Sequence, residues 1–92
     1  MVTQKVCRIG DRANPHGPGP HAGPVATSGS DDVFADSIKV HRVGDSWSCS
    51  ATLKSGSTTV YVNSKQLGRI GDPLTCQYAY VITGSSTVFA GG

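Results

Sequence analysis

Apolar residues in this chain fall in short alternating runs and never form a long face. Thr59-Val60-Tyr61-Val62 packs β-branched and aromatic side chains at a period of two, which predicts a strand. Asn63-Ser64-Lys65 then predicts a turn, since Asn tolerates a left-handed backbone. Residues 66–70 return, and Gly71-Asp72 turns the chain again. An earlier stretch follows the same plan: Val33-Phe34-Ala35, a turn at Asp36-Ser37, and a return over 38–43. A third copy begins at Val88-Phe89-Ala90 and meets Gly91-Gly92 with no return of its own. The segment 2–9 is expected to supply that return, closing three units into a pseudo-threefold body. No stretch carries a helical period, and Gly and Pro punctuate nearly every window. The pattern therefore predicts an all-β chain with little or no helix.

The units share two motifs. Cys7-Arg8-Ile9-Gly10-Asp11, His41-Arg42-Val43-Gly44-Asp45 and Gly68-Arg69-Ile70-Gly71-Asp72 each read x-Arg-(Ile/Val)-Gly-Asp. Gly29-Ser30-Asp31-Asp32-Val33-Phe34, Gly56-Ser57-Thr58-Thr59-Val60-Tyr61 and Gly84-Ser85-Ser86-Thr87-Val88-Phe89 each read Gly-Ser-x-x-Val-aromatic. Fixed-period self-similarity of this kind marks a repeat architecture. The first unit carries extra residues within 14–24, where Pro15, Pro18, Pro20 and Pro24 alternate with glycines. The repeated Gly-Asp predicts a turn whose Asp caps nearby amides. The repeated Arg is expected to pair with that Asp or to stack on the repeated aromatic ring. A role in three copies argues for structure, since catalysis ordinarily uses one site.

Composition narrows the function. A chain of 92 residues allows one small domain, residues 1–92, that buries only about 60% of its unfolded surface. Charged residues are 15% and the net charge is +2 without a basic cluster, which speaks against a nucleic-acid footprint. Apolar runs of a few residues leave no transmembrane helix, and no secretory signal follows Met1. So small a core needs a staple. Three cysteines are an odd number, so disulfides alone cannot use them all; with three histidines and synthesis in a reducing cytosol, a metal site is the better reading.

The repeat points to the ligands. After each Gly-Asp comes one soft or borderline ligand: His16, Cys49 and Cys76. Threefold symmetry would converge them on the axis, and His41 is available as a fourth. Four N/S ligands suit structural Zn2+, closed against water and so not catalytic. His21 competes for a place in the set, replacing Cys49. Cys7 reads as a packed thiol.

These motifs resemble the PAAR-repeat proteins, small cone-shaped caps on the spike of contractile injection machines. The resemblance spans the chain from about Cys7 to Gly91, and is most specific at Pro15-His16-Gly17-Pro18, 40–45, 67–76 and 84–92. The Pro-Ala-Ala-Arg tetrapeptide is absent; Lys39-Val40-His41-Arg42 and Gln66-Leu67-Gly68-Arg69 stand in its place, and Asp36-Ser37 and Asn63-Ser64 stand where relatives often show Asn-Gly. The resemblance implies three β-units in a pseudo-threefold cone with one zinc near the apex. By position His16, His41 and Cys76 match the family motif best, with Cys49 where relatives often place a further His. It implies one tip per trimeric β-helical spike, of the valine-glycine-repeat type or its phage counterpart, and transient contact with the target membrane. It implies synthesis in the bacterial cytoplasm and assembly on a phage tail or type VI secretion spike. The chain ends at Gly92, so no toxin domain is expected after the cone. Two other readings compete: a stand-alone cytosolic zinc-binding interaction module, and a small thiol hydrolase with Cys49 or Cys76 as nucleophile.

Overall fold

A computed structural model describes residues 3–15, 19, 23–76 and 79–91. The described residues are all-β, with six two-residue strands that pair as three antiparallel ribbons. Strand β2 (Phe34–Ala35) pairs with β3 (Ile38–Lys39), and β4 (Tyr61–Val62) with β5 (Lys65–Gln66). The tips are Asp36-Ser37 (φ 54° and 66°) and Asn63-Ser64 (φ 53° and 67°). Two consecutive positive φ angles are the signature of the type I′ turn, whose twist matches that of the flanking strands. Lys65 thus begins the return strand and is not part of the turn.

The third ribbon joins the two ends of the chain. β1 (Gln4–Lys5) pairs with β6 (Phe89–Ala90), Lys5 opposite Phe89. The same register sets Lys39 opposite Phe34 and Gln66 opposite Tyr61. The N-terminal segment does supply the missing return strand.

Strands so short cannot hold a fold together by their ladders. Closed rings of contacts between the units do so. On the axis, the Cys7 amide donates to Gly68 O, the Gly68 amide to His41 O, and the His41 amide to Cys7 O, each at 2.9 Å. Around this ring run the antiparallel bridges Val6–Arg69, Arg8–Val40 and Arg42–Leu67. A second ring, Ala26–Trp47, Leu53–Leu74 and Ala13–Val81, joins the segments that follow each Gly-Asp. Two small cores accompany these rings. Val6, Ala35, Val40, Val62, Leu67 and Ala90 form one beside the ribbons. The other gathers Cys7, Trp47, Cys49, Leu53, Leu74 and Val81 with several alanines.

The repeated polar residues explain themselves in this frame. In each Arg–Asp pair one carboxylate oxygen takes both the arginine's backbone amide and its Nε, at 2.8 Å and 2.8–3.0 Å. The turn between them needs a glycine, with φ of +91° at Gly44 and nearly the same at its two equivalents. The third guanidinium nitrogen reaches outward, Arg8 to Asp36, Arg42 to Asn63 and Arg69 to the Gly91 carbonyl. Those same three acceptors each take a buried serine from a neighbouring unit: Ser85 on Asp36, Ser30 on Asn63 at 2.7 Å, and Ser57 on Gly91 O at 2.6 Å. Each serine oxygen also caps two amides of its own unit, as Ser57 does for Thr59 and Val60. The glycine before it is sterically required: a Cβ on Gly56 would lie 2.5 Å from Leu67 O.

Candidate metal centre and docking face

The three loops that follow Gly-Asp are pseudo-equivalent, bridged at their bases by Arg12–Val25, Ser46–Thr52 and Pro73–Tyr80. By sequence position they carry four of the five candidate ligands, His16, His21, Cys49 and Cys76. Cys49 sits in the second loop and Cys76 in the third, and the structure brings their sulfurs to 3.9 Å. The Thr75 amide donates to Thr52 O at 2.9 Å, and the Thr52 amide to Thr75 Oγ1 at 3.0 Å, so the backbones carrying the two thiols are laced side by side. Two thiolates on one tetrahedral zinc, with arms of about 2.3 Å, stand about 3.8 Å apart. The observed separation fits that edge. Burial, followed by the Cys49 sulfur, pushes the Cys76 thiol above its usual range. A bound cation would reverse that by favouring thiolate.

His16 and His21 lie outside the described residues. His41 is described, and it is fully buried. It occupies the axial ring, not a loop. Its Nδ1 lies 2.8 Å from Ser28 O. A carbonyl only accepts, so Nδ1 carries the proton and Nε2 keeps its lone pair. Burial lowers the His41 pKa, only partly countered by the Ser28 hydrogen bond and the Asp45 charge. The ring meets Trp47 edge to face at 5.0 Å, and Nε2 has no hydrogen-bond partner among the described residues. Among the described residues no three His, Cys, Asp or Glu side chains gather, so the structure does not bring His41 into one group with Cys49 and Cys76. Donor chemistry and spacing at the cysteine pair suit zinc, and two of a closed set of four are in place. Cys7, the third thiol, is fully buried on the axis, as a packed thiol should be, and burial drives its pKa far up.

The ribbons present a different surface. Phe34, Tyr61 and Phe89 occupy equivalent positions and are 52%, 57% and 49% exposed. Val33, Val88 and Ile38 add partly exposed apolar area beside them. The alternation in the sequence left the direction of these rings open. The structure turns them outward because the next residue, Ala35, Val62 or Ala90, takes the core side. Sequence reasoning also missed Asp36 and Asn63 as seam acceptors; the identity of Ser30, Ser57 and Ser85 across all three units was the available signal.

The PAAR motif family model matches residues 16–82, nearly three quarters of the chain. The chain belongs to the PAAR motif family. A search of curated proteins found none that matches it. PAAR motif proteins are structural spike-tip proteins of contractile injection systems, not enzymes, and they bind spike proteins. The pseudo-threefold rings of this PAAR chain give that class of role a structural basis. Among the described residues no helix is long and apolar enough to cross a membrane.

Proposed function

We propose that this PAAR chain caps the blunt end of a trimeric β-helical spike and forms the piercing tip of a contractile injection machine. The observation that carries the reading is the ring of Phe34, Tyr61 and Phe89. Three large aromatic side chains, each about half exposed, stand at equivalent positions around a closed pseudo-threefold body. Exposed apolar patches of this kind mark interaction sites. A threefold patch fits a threefold partner, each spike chain meeting one unit. A stand-alone zinc module would have no use for such a ring.

Away from the ribbons, the cysteine pair anchors the proposed zinc site, with His16 and His21 the sequence candidates for its remaining ligands and His41 in the axial core. The metal would supply cross-linking and no chemistry of its own. The apical core is light: among the described residues its large buried members beyond the cysteines are Leu53, Leu74, Val81 and Trp47. A structural zinc contributes on the order of 10 kcal/mol in small peptides, enough to hold loops that such a core cannot. The chain's own residues do the rest. The outward guanidinium bonds of Arg8, Arg42 and Arg69, the serine seam and the axial amide ring tie each unit to the next, so an axial load is shared by all three.

The test uses the purified chain and the terminal β-helix of its cognate spike. Changing Phe34, Tyr61 and Phe89 together to Ser should weaken binding by at least 100-fold while leaving the melting temperature nearly unchanged, because the rings lie outside both cores. Unchanged affinity would remove the ring from the interface. One zinc per chain, lost in Cys76→Ser, is the expected metal analysis; a metal-free native chain would remove the zinc site.

A further inference from the structure

We propose that Cys49 and Cys76 are also a redox couple, closing to an intramolecular disulfide by exchange with a small-molecule disulfide such as oxidised glutathione. The sulfurs stand 3.9 Å apart across 27 residues of chain. A disulfide needs about 2.05 Å, so they must approach by a little under 2 Å. The lacing of Thr52 to Thr75 already sets the two backbones side by side, and the Lys54 amide adds a bond to Pro73 O at 2.8 Å. Closure therefore asks for movement of two thiols and not of two loops.

The two cysteines differ in access, which assigns their roles. Cys76 is partly exposed and lines a groove with Asn14, Lys54, Thr75 and Tyr80. The Lys54 ammonium in that groove attracts the carboxylates of glutathione. Cys49 is only 4% exposed. Cys76 thiolate attacks one sulfur of the glutathione disulfide, expels a glutathione thiolate, and becomes a mixed disulfide. Cys49 thiolate then attacks Cys76 Sγ and expels the second glutathione thiolate. The two protons given up by the protein thiols end on the two glutathiones, and the two electrons lost by the protein reduce them. Cys7 takes no part, because it is fully buried on the axis.

The consequence is a clamp with two forms. In a reducing cytosol the pair stays as thiols and can hold a cation. In an oxidising compartment, where disulfides persist, the same two sulfurs lock the apical loops covalently. The couple stands whether or not zinc binds.

The full chain, stripped of metal with EDTA and exposed to oxidised glutathione, tests this. The expected product is a monomer lighter by two hydrogens, with one thiol left after denaturation and a peptide cross-link between Cys49 and Cys76. Its melting temperature should rise by about 15–25 °C over the reduced form. The Cys7→Ser variant should react identically. A stable glutathione adduct, a link through Cys7, a disulfide-bonded dimer or three surviving thiols would each overturn the couple. Added zinc separates this from the metal reading: slowed exchange supports both uses of the pair, while unslowed closure supports the couple and counts against the zinc.

Discussion

Replacing Ser57 by Ala tests the seam that joins the units. The Ser57 oxygen is fully buried, accepts from the Thr59 and Val60 amides at 3.2 and 2.9 Å, and donates to Gly91 O at 2.6 Å. Gly91 O keeps Arg69 Nη1 at 2.9 Å, so the acceptor side is not orphaned. The donor side is. Losing the seam bond costs about 1 kcal/mol, and stranding the Val60 amide adds about 1–2 kcal/mol. The total of roughly 2–3 kcal/mol compares with roughly 5–14 kcal/mol for a domain of this length. It should lower the melting temperature by about 10–20 °C. Urea titration with an unchanged slope would place the loss in the folded state. Ser30→Ala should cost the same, because its hydroxyl caps Asp32 and Val33 and donates to Asn63 in the same way. Ser85→Ala should cost more, since its acceptor is the charged Asp36. A loss below about 0.5 kcal/mol at Ser57 would refute the seam as a source of stability.

Three further outcomes follow from the same geometry. Ser64→Gly should raise the melting temperature by several degrees, because Ser64 holds φ at 67° where a side chain is strained and Gly is not; a decrease would contradict the turn assignment. His41 makes stability fall with acid. Its folded pKa lies below the ordinary 6.5, so the unfolded chain binds the proton first, and stability present above about pH 6.5 is lost as pH falls toward the folded value. His41→Gln should flatten that slope relative to the wild type in a pH series of urea melts, and parallel curves would sink the assignment. Joining Gly91 directly to Thr3 and opening the chain between Asp36 and Ser37 should give a permutant that folds. The junction then spans Ala90 to Gln4, as the other two turns span Ala35 to Ile38 and Val62 to Lys65. An unfolded permutant by circular dichroism would argue against three equivalent ribbons.

Much of this is legible in the sequence alone. Period-two runs around Tyr61 and Phe34, with turn residues after them, located two ribbons and their turns to within a residue, but the returns expected over 66–70 and 38–43 pair as strands only at Lys65–Gln66 and Ile38–Lys39. The third ribbon followed from counting units, because β6 had to find a partner and only the N-terminal segment was unassigned. The x-Arg-(Ile/Val)-Gly-Asp motif left two partners open for its Arg, the Asp or the aromatic ring, and the structure makes the Asp pair. What pattern could not show was the third dimension of the repeat. His41 and the loop cysteines are both polar punctuation in one dimension. In space the residue before each Arg lies on the axis, where one unit offers His41, one Cys7 and one Gly68, while the residues after each Asp lie in the loops. His41 was grouped with Cys49 and Cys76 by its place before Arg42 and by the family motif, and neither carries that difference in level. The outward face of Phe34, Tyr61 and Phe89 was equally hidden, since alternation gives two faces and does not say which meets the core.

The central claim is that a pseudo-threefold PAAR chain caps a true threefold spike. Native mass spectrometry of the chain mixed with the terminal β-helix of its cognate spike measures this directly. The account predicts three spike chains to one tip chain, and loss of that complex when Phe34, Tyr61 and Phe89 are all changed to Ser. An equimolar complex, or a three-to-one complex indifferent to the aromatic ring, would contradict it.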